Sequence, residues 1–174
     1  MKRQTKYIYL LFAALLFSSA YCYGNSTTGP DANADEPYGT DVGSLYKPME
    51  VRAFGSIRFN SRDIVTDTVF LFVNSSCVNC YGLLEDFVDN SESTSALDIY
   101  LVVIDMDATD FSTKFQEFAP YFFMLHDPAF EFGKSVGVYA TPSIVVLGGD
   151  GTIKFRKIGY ENENIMELIE EIFN

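Results

Sequence analysis

Val69-Phe70-Leu71-Phe72-Val73-Asn74-Ser75-Ser76-Cys77-Val78-Asn79-Cys80-Tyr81-Gly82-Leu83-Leu84 is the stretch on which the reading turns. Its first five residues are all apolar and rich in β-formers, the pattern of a short strand buried on both faces. Asn74, Ser75 and Ser76 form a polar turn and a candidate helix cap. Leu83, Leu84, Phe87 and Val88 then recur on one side at the 3.6-residue period, and Asn90-Ser91 ends the run. Two cysteines therefore fall where a buried strand hands over to a helix.

That placement has chemical consequences. A cysteine at the start of a helix sits at the positive end of the dipole, beside backbone N–H groups that lack intrahelical partners. Both features favour the thiolate and predict a pKa for Cys77 below the free value of about 8.5. Cys80 lies one turn further on, within reach of Cys77, so it can attack a mixed disulfide and release the substrate. The expected roles are attack by Cys77 and resolution by Cys80. A metal site needs about four ligands, and beyond these two cysteines the domain offers only His126. A purely structural bridge is the stronger competitor, because exported proteins carry many. A loop of two intervening residues, however, gains little chain-entropy stabilisation from closure.

Outward from this core the pattern continues. Val51, Ala53 and Phe54, then Ile57 and Phe59, suggest a first strand or hairpin beginning a domain near Tyr46. Ile99 to Ile104 reads as a second buried strand ending at Asp105 and Asp107, with the two acids as strand-end caps. Thr109 caps a predicted helix bearing Phe111, Phe115 and Phe118, which Pro120 stops. Phe122 to Leu125 is a short extended piece, and Phe130 to Val136 a helical turn or two. Ser143 to Leu147 is a third strand; Gly148-Gly149-Asp150-Gly151 turns it into a returning strand, Ile153 to Ile158. Ile165, Leu168, Ile169 and Ile172 mark a last helix. The order β-α-β-α-β-β-α predicts an α/β domain, 46–174. Its central mixed sheet has helices on both faces, parallel pairs where helices intervene and an antiparallel hairpin edge.

The N-terminus is different. Lys2, Arg3 and Lys6 precede an apolar run from Tyr7 to Phe17, followed by the small residues Ser18-Ser19-Ala20. This is the layout of a secretory signal over residues 1–20; the eleven-residue run is short of the roughly 20 that span a bilayer. Cys22 follows at once. Lipidation there is one expectation, since export segments of bacterial lipoproteins end just before a Cys; Tyr21, in the place of a very small residue, favours a Cys with no role. Residues 21–45, rich in Gly, Asp, Asn and Ser, read as a flexible linker. No internal repeat is present.

The 174 residues carry a formal charge of −12, with 16 Phe and 11 Tyr among an apolar fraction of 48%. Such a chain can fill a sizeable core and is too apolar to be disordered throughout. The acidic balance argues against nucleic acid or an anionic membrane surface as partner. The acids themselves read as a solvated surface.

The arrangement resembles the thioredoxin superfamily, and within it the exported TlpA/ResA type of thiol–disulfide oxidoreductase. The residues that carry the resemblance are Cys77-x-x-Cys80 between strand and helix, His126-Asp127-Pro128, Gly137-Val138-Tyr139-Ala140-Thr141-Pro142-Ser143 and Gly149-Asp150-Gly151-Thr152-Ile153, in that order. It covers roughly residues 69–173. It implies a thioredoxin-like fold and a cis Pro142 packed against the sulfurs. Thr141 would offer strand-like backbone hydrogen bonds to a cysteine-containing peptide. Three positions depart from that family. Ser76 stands where a Trp usually precedes the first Cys, Tyr81 where a basic residue follows the second, and Leu83 where several members place a Glu. Glu85 and Asp86 nearby read as solvated.

The expectation is an exported monomer, periplasmic or membrane-anchored facing the periplasm, that exchanges disulfides with protein cysteines as a reductant. It would need no bound cofactor but an upstream redox partner to recharge the pair. Two alternatives remain at this point. One is a binding module with a static Cys77–Cys80 bridge. The other is a peroxiredoxin-like peroxidase, which would carry Pro and Thr where Phe70 and Asn74 stand. His126, the sole His, reads as a surface or packing residue in the connection toward the third strand.

Overall fold

The computed structural model describes residues 37–53, 57–107, 109, 113–161 and 164–173. Residues 1–20, read as a secretory signal, and Cys22, Phe54 and Phe111 lie outside the described residues. Seven strands form one sheet in the order β2-β1-β5-β4-β3-β6-β7. They are β1 Glu50–Ala53, β2 Arg58–Asn60, β3 Thr68–Val73, β4 Asp98–Val103, β5 Phe123–His126, β6 Ser143–Leu147 and β7 Ile153–Ile158. The helices named below are α1 Val78–Asp89, α2 Ser91–Thr94, α3 Glu131–Ser135 and α4 Ile165–Phe173.

β3 lies inside the sheet between β4 and β6, and all six of its residues are buried. Strand side chains alternate sides, so Val69, Leu71 and Val73 enter one core with Cys80, Leu83, Leu84 and Phe87 of α1 and Ile165 and Leu168 of α4. Phe70 and Phe72 enter the other, with Tyr46, Val51 and Phe132 of α3. The mixed sheet with helices on both faces is therefore present, and an all-apolar β3 is what two covered faces require.

Three expectations change. β3 pairs parallel with β4, but β6 runs antiparallel to β3, with Phe72 opposite Ser143; helix-separated strands do not all pair in parallel here. The extended piece near Phe122 is a full strand, β5, bonded to β4 in parallel and to β1 in antiparallel register. His126 is thus the last residue of a strand, not part of a connection. Lastly, residues 38–45, read as linker, are stitched to the β6–β7 hairpin by backbone. Gly43 N donates to Ile153 O (2.8 Å), Ile153 N to Ser44 O (2.9 Å) and Tyr46 N to Gly151 O (3.0 Å). Arg156 of β7 fastens this strap by donating to Thr40 O and to Val136 O. Gly137 sits beneath it with φ of +76°, where a Cβ would meet Thr40 O at 2.7 Å.

The hairpins behave as read. Glu50–Asn60 and Arg52–Arg58 register the first one, and Gly151 N donates to Gly148 O (2.9 Å) in the second.

Candidate functional site at the start of α1

β3, β4 and β5 are mutually parallel, so all three leave the sheet at the same end, and β6 enters it there. That end collects Cys77 after β3, Asp105 after β4, His126 closing β5 and Thr141-Pro142 ahead of β6.

Cys77 and Cys80 form a disulfide with Cα atoms 5.3 Å apart. Cys77 is itself the N-cap of α1, so the polar turn before it does not cap the helix as expected; the Cys77 side chain makes no cap hydrogen bond, and the first turn holds no acid. Cys77 is partly exposed, with its neighbour Val78 83% exposed, whereas Cys80 is completely buried. The asymmetry follows from helix geometry. Cys80 belongs to the face that carries Leu83, Leu84 and Phe87 into the core, while Cys77 and Val78 lie at the rim. The Thr141–Pro142 peptide is cis, as the resemblance implied. Thr141 is partly exposed, and Tyr139 and Ala140 before it are exposed. Ser143 Oγ bonds back to Ala140 O at 2.6 Å and fixes this corner.

Several site neighbours escaped the sequence reading. Asp105 is not a cap for its own strand. Its carboxylate, 7% exposed, reaches across to the loop that precedes Cys77. It accepts from Ser75 N (2.8 Å), Ser75 Oγ (2.8 Å) and Asn74 Nδ2 (3.0 Å). Asn74 in turn accepts Ser76 N (2.9 Å) on its side chain and Cys77 N (3.1 Å) on its carbonyl. Lys114 Nζ donates to Ser75 Oγ at 3.2 Å, and His126 Nε2 lies 2.7 Å from Asp105 O. Asp107, by contrast, is exposed and bonds to Thr109 N (2.7 Å). That backbone bond, foremost, holds its carboxyl below the usual range.

Tyr160 is the second surprise. It is buried in the same core as Cys80. Its carbonyl accepts from Asn79 Nδ2 (3.3 Å), and its hydroxyl donates to Asp86, which is therefore partnered rather than merely solvated. Glu85 is exposed, as read. Tyr81 stacks on Phe115 with centroids 5.4 Å apart and fills an aromatic cluster rather than presenting charge. Local signals existed only for Asp105, an acid just past a buried strand; Tyr160 pairs with a helix 74 residues away.

Among the described residues no cluster of His, Cys, Asp and Glu could hold a metal, and no helix is long and apolar enough to cross a membrane. What the arrangement can do is thiol–disulfide exchange. It has one reachable sulfur at a helix start, a second sequestered a turn behind, and a strand entrance alongside.

Solved structures of similar fold are numerous. One is a Chlorobium tepidum protein assigned as a thiol:disulfide interchange protein DsbE: TM-score 0.67 and 15% identity, over 78% of this chain and 100% of that one. Another is the thioredoxin domain of a thiol-disulfide oxidoreductase from Bacteroides vulgatus: TM-score 0.64 and 15% identity, over 78% and 100%. A third is an exposed lipoprotein thioredoxin of Streptococcus pneumoniae: TM-score 0.59 and 17% identity, over 72% and 99%. At such identities the likeness establishes the fold. Among curated proteins, none matches the sequence. The family model for the thioredoxin-like domain matches residues 65–171, from the lead into β3 to the last turns of α4, and the chain belongs to that family.

Proposed function

We propose that this chain is an extracytoplasmic thiol–disulfide oxidoreductase that reduces disulfides in protein substrates through Cys77 and Cys80. The observation that carries the reading is the unequal exposure of the two cysteines: Cys80 is fully buried, while Cys77 is reachable at the uncapped start of α1.

In the reduced protein the Cys77 thiolate attacks one sulfur of a substrate disulfide. A mixed disulfide forms, and the departing substrate thiolate takes up a proton. Cys80 then loses its proton and attacks Cys77 Sγ. The Cys77–Cys80 bond forms, the second substrate sulfur leaves as a thiol, and two electrons have passed to the substrate. An upstream dithiol partner returns the pair to the reduced state, so no bound cofactor enters the cycle. The partly exposed backbone around Thr141, entering β6 at the same sheet end, offers hydrogen bonds to an extended substrate segment.

Export is supported by the basic, apolar and small-residue sequence of positions 1–20. The pneumococcal protein of like fold, an exposed lipoprotein, is a precedent for such a location and for lipidation at Cys22.

The test is trapping. Cys80→Ser should accumulate mixed disulfides with substrate proteins, identifiable by mass, and Cys77→Ser should not. Equal trapping by both would reverse the roles. A reduction potential near −200 to −270 mV fits exchange, and one below about −300 mV fits a static bridge instead.

A further inference from the structure

We propose that Asp105 is a positioning residue that fixes the Cys77 sulfur at the start of α1 by clamping the loop before it. The proposal rests on the reading of Cys77 as the exchanging thiol.

The loop 74–76 has no apolar anchor. Asn74, Ser75 and Ser76 are polar, and Ser76 is exposed. Packing therefore cannot hold it, and hydrogen bonds must. They converge on one carboxylate. Oδ2 of Asp105 takes Ser75 N, and Oδ1 takes Ser75 Oγ and Asn74 Nδ2. Asn74, so held, orients Ser76 N with its side chain and Cys77 N with its carbonyl. Every residue from 74 to 77 is thus tied to Asp105 directly or through one intermediary. The carboxylate is itself anchored: β4 keeps its pairing past Val103 through Ile104 N to Val73 O (3.0 Å), which sets Asp105 beside the β3 exit. A buried acceptor with three donors is a stiff fixture, because each broken bond would leave a polar group without water.

Why position matters follows from the fall-off of the helix-end field within one turn. A loose loop lets the sulfur leave the region where the N–H groups of α1 stabilise its charge. Two influences of Asp105 on Cys77 oppose each other. Its negative charge, moderated by the three donors and by Lys114 beyond Ser75, disfavours a thiolate. Its clamp favours one. His126 Nε2 lies against the Asp105 carbonyl oxygen. If the clamp dominates, removing the carboxylate must raise the apparent pKa of Cys77; if the charge dominates, removal must lower it. The sign separates the two.

The experiment uses the full reduced chain and compares wild type, Asp105→Asn, Ser75→Ala and, as control, Asp107→Asn. Cys77 is alkylated by iodoacetamide across pH, exchange is timed with Ellman's reagent, and urea unfolding checks the fold. Asp105→Asn should move the alkylation midpoint upward by about one pH unit and slow exchange near neutral pH by about tenfold. Ser75→Ala should shift it in the same direction by less, and Asp107→Asn should leave both readings unchanged. A midpoint that falls, or stays put in a folded Asp105→Asn protein, overturns the proposal. If that variant does not fold, Ser75→Ala decides, and an unshifted Ser75→Ala profile overturns it equally. Wild type that alkylates but fails to react with Ellman's reagent would sink the proposed function. The midpoints would still score Asp105.

Discussion

Two helices begin at the same end of the sheet, and the chain finishes them differently. α3 follows β5, and its first amides are taken by a carboxylate: Asp127 Oδ1 accepts Glu131 N and Oδ2 accepts Gly133 N, both at 2.9 Å. α1 follows β3, and its capping position is a cysteine whose side chain makes no cap hydrogen bond; among the described residues no carboxylate is bonded to its first amides. The carboxylate bonded to the loop before α1, that of Asp105, spends both oxygens on residues 74 and 75. Orphan amides at a helix start attract negative charge. At α3 the fold supplies that charge permanently, for stability. At α1 it withholds it, and the reduced Cys77 sulfur is the group left to provide it. The difference teaches that this site is defined as much by a missing cap as by two thiols.

The comparison can be broken in several ways. Replacing Cys77 by Ser removes the proposed nucleophile, and disulfide exchange should fall by several orders of magnitude while the fold persists; a stopped assay with a small-molecule disulfide reads it directly. Asp127→Ala strips the α3 cap and leaves a buried amide unpaired at Gly133. It should cost about 1–2 kcal/mol in urea unfolding, with exchange at Cys77 nearly intact. Placing an acid at the α1 start should do the converse. Val78 is 83% exposed, so Val78→Asp is tolerated sterically. The disulfide form should gain a few tenths of a kcal/mol from the helix end. In the reduced form a like charge should raise the Cys77 midpoint by about one unit. The smallest effect concerns the same carboxylate-on-amide device on an exposed turn. Asp150 bonds Thr152 Oγ1 and N, and these bonds depress its pKa to about 2. A depressed folded pKa adds stability above the unfolded value of about 3.9, lost as pH falls through about 2. Asp150→Asn should therefore be slightly less stable than wild type at neutral pH. The gap should narrow below about pH 4 and close near pH 2.

Much of this was legible in the sequence because it was written in side-chain periodicity. The five apolar residues of β3, the Leu83-Leu84-Phe87 face of α1 and the Gly-rich hairpin after β6 each announce themselves locally. The position of Cys77 and Cys80 between a strand and a helix was legible for the same reason, since strand, turn and helix start are all local signals. What stayed hidden depends on backbone or on distance. The strap at residues 38–45 docks through main-chain groups such as Gly43 N and Ser44 O, which leave no trace in a polar, glycine-bearing segment. The antiparallel sense of β6 is set by how the chain returns to the sheet, not by any property of Ser143 to Leu147. Asp105 looked like a strand-end acid because its partners lie 30 and 31 residues earlier.

The central claim is that Cys77 is held as a reactive thiolate at a helix start left open for it. Its most direct measurement is the pH profile of alkylation in the reduced wild-type chain, with the modified cysteine located by mass. The account predicts modification at Cys77 alone, with a midpoint clearly below the free-thiol value of about 8.5. Modification of Cys80 at a matching rate, or a Cys77 midpoint at or above that value, would contradict it.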